Sequence, residues 1–600
     1  MTSAPDGSGA RPRPATRVLF PSLQGYRRSW LRTDVLAGLT VWAVLVPESL
    51  AYATIAGVPP VVGLYAAVPA LVLYAALGSS RHLVVGPMSA TAALSASVVA
   101  VFARGDAAAF VLLTSAVALV TGVLCVLAGL ARLGFLASFI SEPVLKGFIV
   151  GLALIIIVGQ VPALLGVEKG AGNFFEKAAA VVSELGDVHW LTAALGLTAL
   201  AVVLLVKRFA PAVPGSLLVV GLGVAAVLLL RLDENGVDVV GPIEAGLPAL
   251  GVPAVDRTTW TDLVGPAAGV MLVGFAEALG AAKTYAARAG YDIDPDRELL
   301  GMGAANLGSG LAAGMIVNGS LSKTAVNGGA GARSQLSGLT AAALTLVTLL
   351  FLTPVFESLP EAVLAAVVIA AVVELVDVRA LRRLWGLATP RMRRLYGPAA
   401  RYDAYAALAA MAGVLVLDTL PGLVIGIVLS MFLLLARASR PHVAVLVRNR
   451  DGVWVDGARR AARRTAPSGP APRAGEPRAP SAGPGPVDGV LVVRPESGLF
   501  FANAENVRTR VRELVATQRP HAVVLDAETV PFVDSAAAEM IVTLDRDLAR
   551  VGATLVVARD VGQVRDVLRG TADLPTLYPD VDTAVAAVTA SAAPGTADTS

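Results

Sequence analysis

The sequence is short of charge. Only 16% of its 600 residues are Asp, Glu, Lys or Arg, while 55% are hydrophobic and mean hydropathy is +0.70. Soluble domains carry roughly 25% charged residues. So little charge cannot clothe so much apolar surface in water, which points to a multi-span membrane protein. The single cysteine, Cys125, excludes an intrachain disulfide. The four histidines, His82, His189, His442 and His521, lie far apart and lack ligand spacing, which argues against a Cys/His metal centre. No phosphate loop, nucleophile–base pattern or basic array is present, so neither an enzyme, a resident cofactor nor a nucleic-acid partner is expected. Lysine is also scarce. Of 48 basic residues only Lys146, Lys169, Lys177, Lys207, Lys283 and Lys323 are lysines, so one inside an apolar run stands out.

What is present is a succession of apolar segments between Asp34 and about Arg437. The expected spans are 34–50, 60–77, 88–103, 107–130, 138–160, 190–208, 215–231, 262–289, 298–314, 320–331, 333–354, 359–375, 402–418 and 420–438. Residues 1–33 read as a polar cytoplasmic segment without a cleaved signal peptide, and 34–438 as the membrane domain. Residues 439–488 would begin a soluble domain and carry a Pro/Gly/Arg-rich inserted loop or linker; 489–592 would complete that domain, and 593–600 form a tail. Strands at Gly489–Arg494, Ala522–Asp526 and Thr554–Arg559 alternate with helices at Asn503–Thr517 and Ala536–Arg550, a small α/β domain.

Loop charges set the expected orientation. Arginines crowd the N-terminus (Arg11, Arg13, Arg17, Arg27, Arg28, Arg32) and the loop after the twelfth segment (Arg379 to Arg394), and Lys207 and Arg208 follow the sixth. The loops after the fifth and seventh segments hold Glu168, Glu176, Glu184, Asp187, Asp233, Glu234, Asp238 and Glu244 instead. With an even count, both termini are expected in the cytoplasm, and the protein in the inner (plasma) membrane.

The apolar region repeats itself. Asp34 and Asp262 open the first and eighth segments, and Glu48 and Glu277 follow at nearly equal intervals. Val84-Val85-Gly86-Pro87 and Ile316-Val317-Asn318-Gly319 then each precede a short segment. Seven segments separate the halves, so the second is inverted. Paired broken helices in inverted repeats mark the site of a secondary transporter. Two helix starts inside a bilayer present unpaired N–H groups and favour an anion. Ser320 and Ser322 add hydroxyls and Lys323 a full charge. An unpaired charge there costs at least about 2.5–3.5 kcal/mol, so Lys323 needs a partner. Three plainer roles stand beside this. Lys323 could neutralise Glu277 structurally, Glu48 could snorkel to an interface, and the hydroxyls could bond to neighbouring helices. Gly301-Met302-Gly303-Ala304-Ala305-Asn306 lacks a preceding strand and reads as close helix packing.

At these residues the chain resembles the SulP family of inorganic anion transporters, the sulfate permeases. The resemblance is carried by Val46-Pro47-Glu48-Ser49-Leu50-Ala51-Tyr52-Ala53, Gly57–Tyr65, Gly78–His82 and Val85–Pro87 in the first half, and by Ser320–Asn327 and Gly331–Gly338 in the second. The tail resembles a STAS domain, with Val530–Ala537 at its signature turn. The resemblance implies a seven-plus-seven inverted repeat with core and gate subdomains, a homodimer and an elevator-like movement. It implies a substrate site of Glu48, Tyr52, Met88, Ser89, Glu277, Ser320, Ser322 and Lys323, with no catalytic residues and no metal. The expected function is secondary active import of an oxyanion, with sulfate favoured. Bicarbonate with Na⁺, dicarboxylate or chloride transport are alternatives, as is an anion sensor signalling to a protein partner through the STAS domain.

Three departures matter. Lys323 stands where relatives often have Arg, losing the bidentate fork. Glu48 stands where many have Gln. A carboxylate beside an anion repels it unless protonated, so Glu48 and Glu277 are candidates for proton coupling. The STAS turn reads Val533-Asp534-Ser535-Ala536-Ala537 without the usual glycine. Ser535 is expected as that helix's N-cap, with a phosphosite as the alternative.

Overall fold

The computed structural model describes residues 19–135, 142–170, 172–210, 213–242, 246–373, 399–417, 419–449, 451–457, 489–559, 562–570 and 575–592. Outside them lie Arg11, Arg13 and Arg17, the arginines from Arg379 to Arg394, nearly all of the Pro/Gly-rich insert, and the tail 593–600. The chain divides into two compact units, Met1–Met431 and Phe432–Ser600.

The first half of the membrane unit runs α1 (Leu31–Ile55), α2 (Val61–Leu77), strand β1 (Val84–Gly86), α3 (Ser89–Ala103), α4 (Ala107–Leu130), α5 (Glu142–Leu165), α6 (Phe174–Ser183), α7 (Trp190–Phe209) and α8 (Gly215–Leu230). The second runs α9 (Arg257–Asp262), α10 (Val264–Ala289), α11 (Pro295–Leu311), strand β2 (Asn318–Ser320), α12 (Leu321–Gly329), α13 (Leu336–Val347), α14 (Thr353–Glu357), α15 (Glu361–Val372), α16 (Ala399–Leu417) and α17 (Thr419–Ala438). Helix–helix–strand–helix–helix recurs in the two halves, giving the inverted seven-plus-seven repeat of a multi-pass α-helical membrane protein. Among the described residues, six helices are long and apolar enough to cross a membrane alone. Others are shorter apolar helices, and α3 and α12 each start from a strand at depth instead of spanning alone. The eleventh segment continues from α13 through a π-helical turn at Thr348–Leu352 into α14, which has Pro354 in its first turn. The amphipathic α6 lies between two spans and was not expected, although Asn173 and Glu176 form a full capping box at its start.

The helices pack as two groups. In the core group α11 lies on α4 and α2, α13 on α1 and α2, and α10 on α4; in the gate group α16 packs on α5, and α15 on α5 and α7. Glycine makes the closest crossings possible. A Cβ on Gly63 of α2 would lie 2.0 Å from the Ser49 carbonyl oxygen of α1, and one on Gly303 would lie 2.9 Å from that of Gly122.

Two buried carboxylates fasten the loops at the end where α1 begins. Glu298 of α11 is 1% exposed and accepts from Tyr74 Oη (2.8 Å), Ser79 N (2.8 Å), Ser79 Oγ (2.7 Å) and Ser80 N (2.9 Å). Asp34 of α1 accepts from Arg333 N (2.6 Å), Ser334 N (3.4 Å) and Ser334 Oγ (2.7 Å). Asp262, its repeat counterpart in sequence, is exposed, so the correspondence is one of position and not of role.

The second unit holds a six-stranded sheet in the order β4–β3–β5–β6–β7–β8. Its strands are β3 (Val443–Arg448), β4 (Trp454–Asp456), β5 (Val490–Pro495), β6 (Ala522–Asp526), β7 (Thr554–Ala558) and β8 (Thr576–Tyr578). From β5 to β8 the sheet is parallel, and β3 joins it antiparallel. Helices α18 (Ala504–Gln518) and α19 (Ser535–Ala549) cover one face and α21 (Val581–Ala592) the other, with α20 (Gly562–Arg569) beside α19. One expectation is corrected here. Asp534, not Ser535, caps α19, accepting from Ala537 N at 2.8 Å and Phe501 N at 2.9 Å. Asp534 is the residue with extended backbone just before the first turn, so its carboxylate faces the first-turn amide, and this leaves Ser535 exposed as the first helical residue.

Candidate functional site

The centre of the membrane unit is a sheet of two strands from opposite halves of the chain. β1 and β2 pair antiparallel, with Val84 opposite Ser320, Val85 opposite Gly319 and Gly86 opposite Asn318. The pairing satisfies backbone groups that would otherwise be stranded at membrane depth. Each strand feeds a helix, so α3 and α12 both begin beside this sheet. Gly319 allows a close approach: a Cβ there would lie 2.8 Å from Ala278 Cβ on α10. That places the Glu277 turn of α10 against β2.

The two helix starts are finished differently. At α12, Ser320 Oγ accepts from Lys323 N (3.3 Å) and contacts Ser322 Oγ (3.1 Å). At α3, Met88 is the N-cap and no side chain caps the first-turn amides. Those N–H groups keep their partial positive charge for another acceptor. Met88 and Ser89 are buried, while Ser322 is exposed.

Lys323 is 1% exposed. Its Nζ donates to Pro87 O at 3.0 Å, lies 2.8 Å from Glu48 Oε2 and sits 4.9 Å from the centre of the Tyr52 ring. The partner of Lys323 is therefore Glu48 and not Glu277. The reason is the strand pairing, which brings the start of α12 onto the middle of α1. Glu48, only 6% exposed, does not snorkel to an interface. Pro47 immediately before it removes one backbone hydrogen bond from α1.

Several polar atoms here lack hydrogen-bond partners: Glu48 Oε2, which meets Lys323 as a charge contact only, Glu277 Oε2 and Asn318 Oδ1. Asn318 was not anticipated as a site residue. Its amide nitrogen lies 3.8 Å from Met88 Sδ, between the two helix starts. A buried amide in an otherwise apolar Ile-Val-Asn-Gly break is the signal that would have found it. Chemically, the arrangement offers uncapped amides, hydroxyls and one cation to an anion, with a carboxylate competing for that cation.

The comparisons with known proteins fall on both units. Residues 31–391 match the Sulfate permease family and residues 486–584 the STAS domain. A protein of Mycobacterium tuberculosis (strain ATCC 25618 / H37Rv) named "Probable sulfate transporter" is 37% identical over 550 residues, covering 91% of this chain and 92% of its own. "High affinity sulfate transporter 1" of Stylosanthes hamata is 28% identical over 517 residues, covering 82% and 72%. Among solved structures, murine Slc26a9, an anion transporter in the inward-facing state, superposes with a TM-score of 0.81 at 21% identity, covering 95% of this chain and 94% of that one. The transmembrane domain of a cyanobacterial bicarbonate transporter, BicA, superposes with a TM-score of 0.58 at 24% identity, covering 67% and 98%. At these identities the two structures speak for the fold alone.

Proposed function

Since the chain belongs to the sulfate permease family, we propose that it is a secondary active importer of an inorganic oxyanion, with sulfate as substrate and a proton as coupling ion. The observation that carries this reading is the buried Lys323–Glu48 pair at the uncapped start of α3. Without substrate, Glu48 neutralises Lys323. An arriving dianion needs the cation that Glu48 holds. Protonating Glu48 releases Lys323 to the anion and removes the repelling charge, so anion and proton enter together. Glu277, Ser89, Ser320 and Ser322 line the same sheet-and-helix junction, with Tyr52 and Met88 walling it. The relatives' names favour sulfate.

The separation of core and gate helices supports an elevator movement. The loops tied through Glu298 and Asp34 let the core group shift as one body. On this reading the chain works in the inner membrane with both termini in the cytoplasm, as a homodimer, and the STAS domain is a docking module for a protein partner.

The test is uptake of labelled sulfate and bicarbonate by the full-length protein in lipid vesicles under imposed proton or sodium gradients. Proton-driven sulfate uptake abolished by Lys323→Ala supports the reading. Sodium-driven bicarbonate uptake would replace the substrate and coupling ion. Anion binding without flux would favour the sensor.

A further inference from the structure

The membrane unit has a hollow at the end of α1 opposite Asp34, lined mostly by apolar side chains such as Ile55, Phe110, Ile155 and Ile156, with a few polar and basic ones among them. It has a volume of about 370 Å³ and is walled by the end of α1, the second half of α3, the second half of α5 and the segment around α6. Thr54, Ser97 and Gln160 face it, and Lys169 and Lys177 stand with them. Two of the six lysines in the chain thus meet at one cavity.

Helix geometry links this hollow to the central site. On α3, Ala93, Ala96, Ser97 and Ala100 line it. They fall at i+4, i+7, i+8 and i+11 from Ser89, so one small-residue face of α3 leads from the strand junction outward. On α1, Ile55 lies seven residues beyond Glu48, two turns along the same face. The lysines are not consumed by structure. Lys169 lies 3.7 Å from Glu361, but their side chains are 65% and 45% exposed and water screens the pair. Glu176, next to Lys177 in sequence, is engaged with Asn173 in the cap of α6. Lys177 makes no ion pair among the described residues.

We propose that this hollow is a vestibule that binds inorganic oxyanions before they reach the Glu48–Lys323 pair. Lys177 and Lys169 are the recruiting cations, and Ser97 and Gln160 the hydrogen-bonding wall; the Thr54 hydroxyl donates to Ala51 O and only lines it. The vestibule rests on the reading of the chain as an anion carrier, and it adds an anion subsite remote from the strand junction.

A thiol placed in the hollow tests it without relying on transport. Cys125 is 3% exposed, so the background is silent. Ser97→Cys in the full-length protein is reacted with an anionic and a cationic methanethiosulfonate, each rate being normalised to a free thiol. At low ionic strength the anionic reagent is expected to lead by at least about threefold. The lead should vanish with added salt and in K169Q/K177Q, and millimolar sulfate should slow labelling. Thr54→Cys repeats the measurement from the facing wall if the first variant folds poorly. A charge preference unchanged by removing both lysines, or labelling indifferent to sulfate, overturns the vestibule. In vesicles the lysine double variant should raise the KM for sulfate by a larger factor than it lowers the maximal rate. A lysine-dependent preference in a protein that transports no sulfate would keep the vestibule and reject the transport reading.

Discussion

Glu298 and Glu48 are both buried carboxylates in the core helices, and their surroundings are opposite. Glu298 accepts four hydrogen bonds from neutral donors on α2 and the loop behind it. Glu48 faces one cation, its Oε2 lacks an aligned donor, and Glu277 Oε2 and Asn318 Oδ1 are equally unmatched. A carboxylate that is fully satisfied fixes a structure, because nothing better is available to it. One held by a single exchangeable charge can be displaced. The contrast separates fastening from function among residues that composition alone cannot tell apart.

Substitutions at four positions break or sharpen this contrast, in order of expected effect. Lys323→Ala should abolish anion uptake while the protein remains folded, since the Glu48 carboxylate left behind can take a proton and become neutral. Uptake in vesicles and size-exclusion behaviour check the two halves of that statement. Glu298→Ala should act the other way round. Stranding two backbone amides and two hydroxyls costs about 4 kcal/mol, seen as lower yield and a lower unfolding temperature in detergent. If Glu298→Ala left stability intact and stopped transport, the division between the two carboxylates would collapse. Glu48→Gln should keep the fold and flatten the dependence of uptake on proton gradient; an unchanged pH profile would remove Glu48 from coupling. Tyr52→Phe keeps the ring over Lys323 and should lower uptake by no more than about twofold, whereas Tyr52→Leu removes the cation–π contact, worth about 1 kcal/mol.

Much of this architecture was legible in the sequence. The spans follow from apolar runs, and the inverted repeat from Glu48 and Glu277 with their two breaks. What sequence could not supply was which charges meet. Lys323 is near Glu277 in the chain and distant from Glu48, yet the β1–β2 pairing reverses that order in space. Asp34 and Asp262 looked equivalent, but only Asp34 finds loop amides to cap. In the STAS unit the regular α/β alternation was visible, while the antiparallel β3 and β4 were not. They lie before the insert, separated from the β5 strand that β3 joins. Ser535 was misread because an Asp-Ser pair gives two candidate caps, and only the geometry of the turn chooses between them.

The central sheet also constrains how the protein is made. β1 and its partner β2 lie more than 230 residues apart in the chain. At a synthesis rate of roughly 5–20 residues per second, β1 waits on the order of 10–50 s for its partner to emerge. During that interval the first half sits in the bilayer with exposed backbone groups around Gly86 and Pro87, and Glu48 has no Lys323. The half-made chain therefore passes through a stage in which its future strand junction is its least comfortable region. Insertion machinery or a transient water-filled shelter must cover it until the second half arrives.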